Sequence, residues 1–415
     1  MSAKLTLSQL NALFDHLSTF STSNHEKGTT RLAYSQVDEQ AHEYLITKMK
    51  TLGLTVRQDA AGNVFARLAG FEPQLPAVGT GSHIDTVPLG GNYDGVAGVL
   101  SGIYALSQFE PGQLKRSLEV VIFRAEESSR FGFSCIGSKI LAGQVDAESW
   151  RKNKDSSNED IFQVLDRTRY SSEAVLNQQC ELANDYFAAF VELHIEQGKC
   201  LEAANKQIGI VTGIAAPIRF CVTVKGHADH SGATPMNQRQ DALVASVAII
   251  ADIHLAACKE SCYGTVGTVG KLDVVPNSMN VIPGEVTFFV DIRGVELDSM
   301  LRVEQSMQAA IQKASFDTGT DISVRNISRE NPVKLDLNIA KTIEQICLEK
   351  EIAYMTMLSG AGHDTMKMAS KFPSSMIFIP SVLGISHHVD EFSQFEDIAL
   401  GAELLKQTLA VLASE

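Results

Sequence analysis

The chain has 415 residues, 44% hydrophobic and 20% charged, with 49 acidic against 35 basic side chains and a formal net charge of −14. That length accommodates two or three domains with a large core, and the acidic excess argues against nucleic acid and anionic membrane surfaces as partners. Seven scattered cysteines, with no second ligand pair near Cys258 and Cys262, read as reduced thiols of a cytoplasmic protein.

The N-terminal segment lacks the apolar run of a signal peptide. Leu7, Leu10, Leu13, Phe14 and Leu17 recur at helical spacing, and a second helix is predicted from about Gln36 to Leu52, with Ser35 as N-cap and Gly53 as stop. Short strands follow at 54–58, 63–68 and 77–83, then a helix at 96–108 and a buried-type strand at 117–124. Residues 151–160 read as a polar surface stretch. Strands alternating with helices predict an α/β layer with a mixed, largely parallel sheet.

From 214 to 329 the order becomes strand (218–225), helix (241–258), strand (265–275), strand (285–293), helix (298–313), strand (321–328). This β-α-β-β-α-β pattern predicts a small ferredoxin-like domain. The apolar run Ala242–Ala257 inside it is interrupted by Asp252 and His254, so no membrane span is expected. A helix near 339–351, a strand at 375–379 and a final helix at 394–413 return to α/β character. The expected organisation is a discontinuous domain, 1–213 with 330–415, carrying the 214–329 insertion.

Five metal-ligand types fall at or beyond predicted strand ends or in loops: His83, Asp94, Glu127, His194 and His387. Three imidazoles and two carboxylates suit a pair of borderline divalent ions sharing one carboxylate, and strand ends are where open α/β sheets place their sites. Each residue alone has a plainer reading. His83 and Asp85, two apart on a strand, face one side and form a hydrogen-bonded pair, in which Asp85 orients the imidazole. Asp94, set between glycines, also reads as a helix cap. Glu126 and Glu127 are either solvated or, if buried, raised in pKa, a cost that a divalent metal would relieve for one of them, leaving the other as a base. His194 is either a satisfied core histidine or a ligand. His387 and His388 are adjacent, and only one can point to a shared site, with Glu391 nearby to support it. The glycine-rich loop Ser359–Thr365, with His363 and Asp364, reads as backbone scaffolding or a substrate wall.

Taken together, Gly-Ser-His-Ile-Asp-Thr-Val-Pro-Leu-Gly-Gly-Asn-Tyr-Asp-Gly (81–95), Ala-Glu-Glu-Ser-Ser-Arg-Phe-Gly (125–132), Glu-Leu-His-Ile-Glu-Gln-Gly (192–198), His-Ser-Gly-Ala-Thr-Pro-Met (230–236), Asn-Val-Ile-Pro-Gly-Glu (280–285) and Ile-Ser-His-His-Val-Asp-Glu (385–391) resemble the amidase/hydantoinase–carbamoylase branch of the M20 metallopeptidase family. Its members include N-carbamoyl-L-amino acid hydrolases, β-ureidopropionases and allantoate amidohydrolases. A histidine at position 194 separates this branch from peptidase-like members, which carry a carboxylate there and include aminoacylases and dipeptidases.

The resemblance implies a cytoplasmic homodimer that hydrolyses the ureido C–N bond of a small acid. Two divalent ions per subunit, zinc or manganese, would be held by His83, Asp94 and His194 and by Asp94, Glu127 and His387, with Asp94 bridging. It implies Glu126 as general base and Asp85 as the partner of His83. His230, from a lid and dimerisation domain, would polarise the scissile carbonyl. Gln197, Asn280, Arg293 and Gly360 would bind substrate, with Arg293 on its carboxylate. His388-Val389 stands where relatives often have Ser-Pro, Thr365 where an alanine is common, and Asp229 where a glycine is.

Overall fold

The computed structural model describes residues 4–23 and 27–415. The chain divides into two compact units, Met1–Thr212 with Leu335–Glu415, and Gly213–Lys334. The strands are β1 (Thr55–Gln58), β2 (Val64–Leu68), β3 (Ala77–His83), β4 (Leu118–Phe123), β5 (Phe187–Ile195), β6 (Ile208–Ile214), β7 (Ala216–Lys225), β8 (Val266–Val275), β9 (Glu285–Gly294), β10 (Asp321–Arg329), β11 (Val333–Lys334), β12 (Tyr354–Ser359) and β13 (Ser374–Ile379).

A nine-stranded sheet runs β1-β2-β4-β3-β5-β13-β6-β11, with β12 beside β6. Only its centre is parallel: β4 with β3, β3 with β5, and β5 with β13. The pairs β1–β2, β2–β4, β13–β6 and β6–β11 are antiparallel. The sheet is mixed, as expected, but parallel pairing is confined to its centre and does not dominate it. The parallel strands follow helical crossovers such as Val96–Ser107 between β3 and β4, whereas β1 and β2 are joined by a tight turn that forces an antiparallel pair.

Period-two alternation divides the sheet's side chains between two cores. Val64, Val120, Ile122, Val191 and Ile377 face the helices Leu7–Ser18, Gln36–Thr51, Val96–Ser107, Leu337–Glu349 and Phe395–Ser414. Phe65, Val121, Phe123 and Phe190 face the opposite cluster with Leu141, Met368 and Phe372. The helix caps read from sequence are present in part: the Ser35 hydroxyl accepts the Asp38 amide at the start of Gln36–Thr51. The stretch 147–176, of which 151–160 looked merely polar, carries three short helices, and their one-sided apolar residues Trp150, Ile161, Phe162 and Val175 close a further cluster.

The second unit has its strands in the order β10-β7-β9-β8, each pair antiparallel. Along β9, Val286, Phe288, Val290 and Ile292 are buried at every second position. They meet Ala245, Ile249 and Ile253 of helix Ala242–Glu260 and Met300, Val303 and Met307 of helix Leu297–Thr318. Helix Ala242–Tyr263 has the length and apolarity of a membrane span, but its buried stripe is accounted for by this packing.

Candidate metal centre

The C-terminal ends of the four parallel strands converge on one polar site. His83 is the last residue of β3 and His194 the last but one of β5. Glu126 and Glu127 follow β4, and His387 lies in the loop after β13. Asp94 sits just before helix Val96–Ser107, at Gly95, whose φ is 66°. A Cβ at Gly95 would fall 2.5 Å from the His83 ring, so only glycine lets Asp94 and His83 approach this closely.

Two imidazoles have a fixed orientation. His83 Nδ1 lies 3.0 Å from the Asp85 carbonyl, and His194 Nδ1 lies 2.9 Å from the Ile195 carbonyl. Each Nδ1 therefore carries the proton, and each Nε2 turns to Asp94 Oδ1, at 3.6 and 3.1 Å. His387 Nε2 lies 3.0 Å from Asp94 Oδ2 and 3.2 Å from Glu127 Oε1. Asp94 thus belongs to two groupings of potential ligands, His83–Asp94–His194 and Asp94–Glu127–His387.

An imidazole lone pair pointed at a carboxylate oxygen needs positive charge between them. Without a metal, protons fill that role. Burial pulls the His83 pKa down, but hydrogen bonds to Asp85 and Asp94 carry it well above the usual value. Hydrogen bonds donated to Asp94 and Glu127 push His387 up to about 11. Asp94, raised by burial, is held well below the carboxylate range by the His194, His387 and His83 contacts. The same gaps fit a cation: ligands about 2.0–2.1 Å from a tetrahedral ion stand ~3.3 Å apart, close to the distances above. Three imidazoles facing two buried carboxylates are a donor set suited to zinc or manganese.

Two acids hold the frame. The Glu391 carboxylate accepts the Tyr93 and Asp94 amides on one oxygen, at 3.1 and 3.0 Å, and the Ser386 hydroxyl and His387 amide on the other, at 2.9 and 3.2 Å. It joins the Asp94 loop to the His387 loop. The Asp85 carboxylate accepts the amides of Glu126 and Glu127 at 3.2 and 3.1 Å. Its nearer oxygen is 3.6 Å from His83 Nδ1, so the Asp85 carbonyl makes the closer contact to the ring, and the side chain chiefly holds the glutamates.

Glu126 stands apart from both groupings. Its nearest imidazole nitrogen, His83 Nε2, is 3.8 Å away, and burial reinforced by Glu127 pushes its carboxyl well above the usual range. Gln197, in the left-handed region at φ 56°, donates to Asp94 Oδ2 at 2.8 Å, and its Oε1 is buried without a hydrogen-bond partner. His388 turns away, with Nδ1 taking the Asp390 amide at 3.2 Å. The structure brings His387 to the cluster and leaves His388 outside it.

Sequence reading missed the support behind β5. Glu192, fully buried, accepts Ser82 Oγ at 2.7 Å and the Thr365 hydroxyl and amide at 2.6 and 3.0 Å. Glu192, His194 and His363 form a third grouping of ligand types, but these hydrogen bonds occupy Glu192. His363 stacks edge-on to His194 at 4.4 Å and bonds Ser359 Oγ at 2.9 Å. The loop after β12 is thus a buttress for a candidate ligand. A Cβ at Gly360 would meet nothing within 4 Å.

His230, Asn280 and Arg293 belong to the second unit. His230 pairs with Val281 through an isolated bridge, and the Ser231 amide donates to the Asn280 carbonyl at 3.0 Å. The His230 Nδ1 accepts the Gly232 and Ala233 amides at 3.0 and 3.2 Å, which places the ring proton on Nε2. Arg293 grips Asp291 through Nε and Nη2, and Arg219 of β7 bonds the same carboxylate.

Residues 79–411 match peptidase family M20/M25/M40. The chain belongs to that family. Over 97% of its length it is 37% identical to a ureidoglycolate hydrolase of Oryza sativa subsp. japonica, 84% of which is covered. An N-carbamoyl-L-amino-acid amidohydrolase of a Pseudomonas species is 35% identical, over 92% of this chain and 93% of that one. An allantoate amidohydrolase of Bacillus subtilis is 34% identical over 99% of both. Among solved structures, a hydantoinase/carbamoylase family amidase from Burkholderia multivorans superimposes with a TM-score of 0.88 at 31% identity, over 99% of each chain. In this M20 chain, the candidate ligands His83, Asp94, Glu127, His194 and His387 all lie within the matched span.

Proposed function

We propose that this M20 chain is a two-metal amidohydrolase that cleaves the ureido C–N bond of N-carbamoyl-L-amino acids or related small ureido acids. The observation that carries the reading is Asp94, shared between two three-residue ligand groupings, with Glu126 buried beside them and engaged in neither. His83, Asp94 and His194 would hold one ion, and Asp94, Glu127 and His387 the other. Such ions, zinc or manganese, would supply Lewis acidity and lower the pKa of water at the site.

The rest is work for side chains. Glu126, its carboxyl raised by burial, takes a proton from the attacking water and returns it to the leaving amine. Gln197 Oε1, a buried acceptor without a partner, suits a ureido N–H. His230 offers an Nε2–H to the scissile carbonyl, and Asn280 adds a second polar contact. Arg293, anchored on Asp291, would present its guanidinium charge to the substrate carboxylate. Gly360 leaves room along the substrate wall.

The second unit, with its β-α-β-β-α-β order, is read as a ferredoxin-like lid and dimerisation domain. The outer side of helix Ala242–Glu260 leaves Val244, Val247 and Leu255 exposed, as a homodimer contact would require. Seven unpaired cysteines suit a reducing cytoplasm.

A panel of N-carbamoyl-L-methionine, ureidoglycolate, allantoate, N-acetyl-L-methionine and a dipeptide, tested with zinc- and manganese-loaded enzyme, checks the reading. Turnover confined to the ureido compounds is expected. Hydrolysis of the N-acetyl compound or the dipeptide alone overturns it. The ureidoglycolate arm represents a second reading, favoured by the 37% identity to the Oryza sativa enzyme.

The two histidines are separable in the same preparations. His387→Ala is expected to weaken metal uptake by at least roughly 10–100-fold, whereas His388→Ala leaves it unchanged, as measured by metal analysis after dialysis.

A further inference from the structure

Cys135 contacts the proposed base. Its Sγ lies 3.1 Å from Glu126 Oε1, and the side chain is buried at 1% exposure. Glu126 Oε2, the other oxygen, faces His83. The thiol therefore bonds the carboxylate from the side away from the imidazole.

The backbone around this contact is arranged to deliver it. The amides of Cys135, Ile136 and Gly137 donate to the carbonyls of Glu126, Ala125 and Arg124 at 2.8, 2.9 and 2.8 Å. This antiparallel run zips the strand-end glutamates onto the start of helix Ile136–Leu141. Both sides of the zip bend through the left-handed region, Ala125 at φ 53° and Cys135 at φ 58°. Glycine or asparagine would adopt that conformation at less expense. A cysteine held there, where its side chain meets a buried carboxylate, is strain retained at a site of use.

We infer that Cys135 is a positioning residue for the reaction proposed above: its S–H donates to Glu126 Oε1 and fixes the carboxylate so that Oε2 faces the reacting water. A thiol can act as that donor, and its contact engages Oε1 and not Oε2. The helix carries the arrangement one step further. Ser138 Oγ bonds Asp364 Oδ1 at 2.5 Å and lies 3.3 Å from the Cys135 carbonyl. The thiol's turn is thereby anchored to the loop that buttresses His194.

The inference rests on Glu126 being the base, and its test separates the two ideas. The first measurement needs no substrate. The S–H stretching band of Cys135 is isolated by subtracting the infrared spectrum of Cys135→Ser from that of the metal-loaded wild type. It is expected at the low frequency of a thiol bonded to a carboxylate, moving up in Glu126→Gln. A band at the free-thiol frequency, or one indifferent to Glu126→Gln, overturns the inference whatever the enzyme hydrolyses.

The second measurement compares Cys135→Ala with Cys135→Ser on a ureido substrate. Loss of the donor in the alanine variant is expected to lower kcat by roughly fivefold, with KM and metal content unchanged. The serine variant, which keeps a donor, retains most of the activity. A purely packing role predicts the reverse ranking or equal losses, because both replacements remove the sulfur's volume and serine adds a polar group. That outcome rejects the positioning role while leaving the base assignment to its own test.

Discussion

Glu126→Gln is expected to lower kcat by about 10³-fold, within the range general base catalysis supplies, while metal content and thermal stability stay at wild-type values. Glutamine keeps the shape and the hydrogen-bonding oxygen of the side chain and loses only the ability to take a proton. The expectation of intact metal follows from geometry: Glu126 is in neither candidate ligand group, and its closest imidazole nitrogen is 3.8 Å away. Its backbone is held independently by Asp85 through the amide, so the loop stays in place when the charge is removed. Steady-state kinetics with metal analysis of the same sample decides the matter. Full activity removes Glu126 from the chemistry, and loss of metal makes it a ligand instead. Mixing this variant with His230→Ala is expected to restore part of the activity if each site borrows its histidine from a partner subunit.

The candidate ligands were legible in the sequence because residue type and strand-end position coincide. A histidine ending an apolar strand and a carboxylate between glycines are costly without a function. The choice between His387 and His388 was open because two adjacent residues differ only in direction. Direction here is set by Glu391, which takes the His387 amide, and by a φ of 55° at His387, neither of which a one-dimensional pattern displays. Asp85 illustrates a different limit. The spacing correctly puts it beside His83, but the peptide amides of Glu126 and Glu127 compete for its carboxylate, and the main-chain carbonyl makes the closer contact to the ring.

Glu192 and Cys135 were missed for the same reason. Each is one polar side chain in an apolar neighbourhood, and each finds its partner far along the chain or around a tight turn. The β-α-β-β-α-β order of the second unit was readable because its strands alternate cleanly and its helices are long. The antiparallel flanks of the large sheet were not, since β6 is buried along nearly its whole length and a buried strand reads the same in either direction.

Asp94→Asn is expected to abolish uptake of both ions and reduce turnover below detection, with the fold retained. Asparagine occupies the same volume at the same turn, and Glu391 still receives the backbone amide at position 94. What disappears is the anionic oxygen on each side. Oδ1 faces His83 and His194, Oδ2 faces His387, and no other residue belongs to both ligand groupings. One substitution should therefore act on two sites at once, whereas Glu127→Gln should weaken only the site that includes His387. Calorimetry with and without added zinc or manganese gives the readout. The wild type gains thermal stability on loading, because a ligand that binds only the folded state stabilises by about 4 kcal/mol at a thousand times its Kd. The Asp94→Asn protein should show no such gain while melting cooperatively near the metal-free wild type. Should it still take up a full complement of metal, the carboxylate is not the bridge, and the two histidine groupings would have to be read as independent sites.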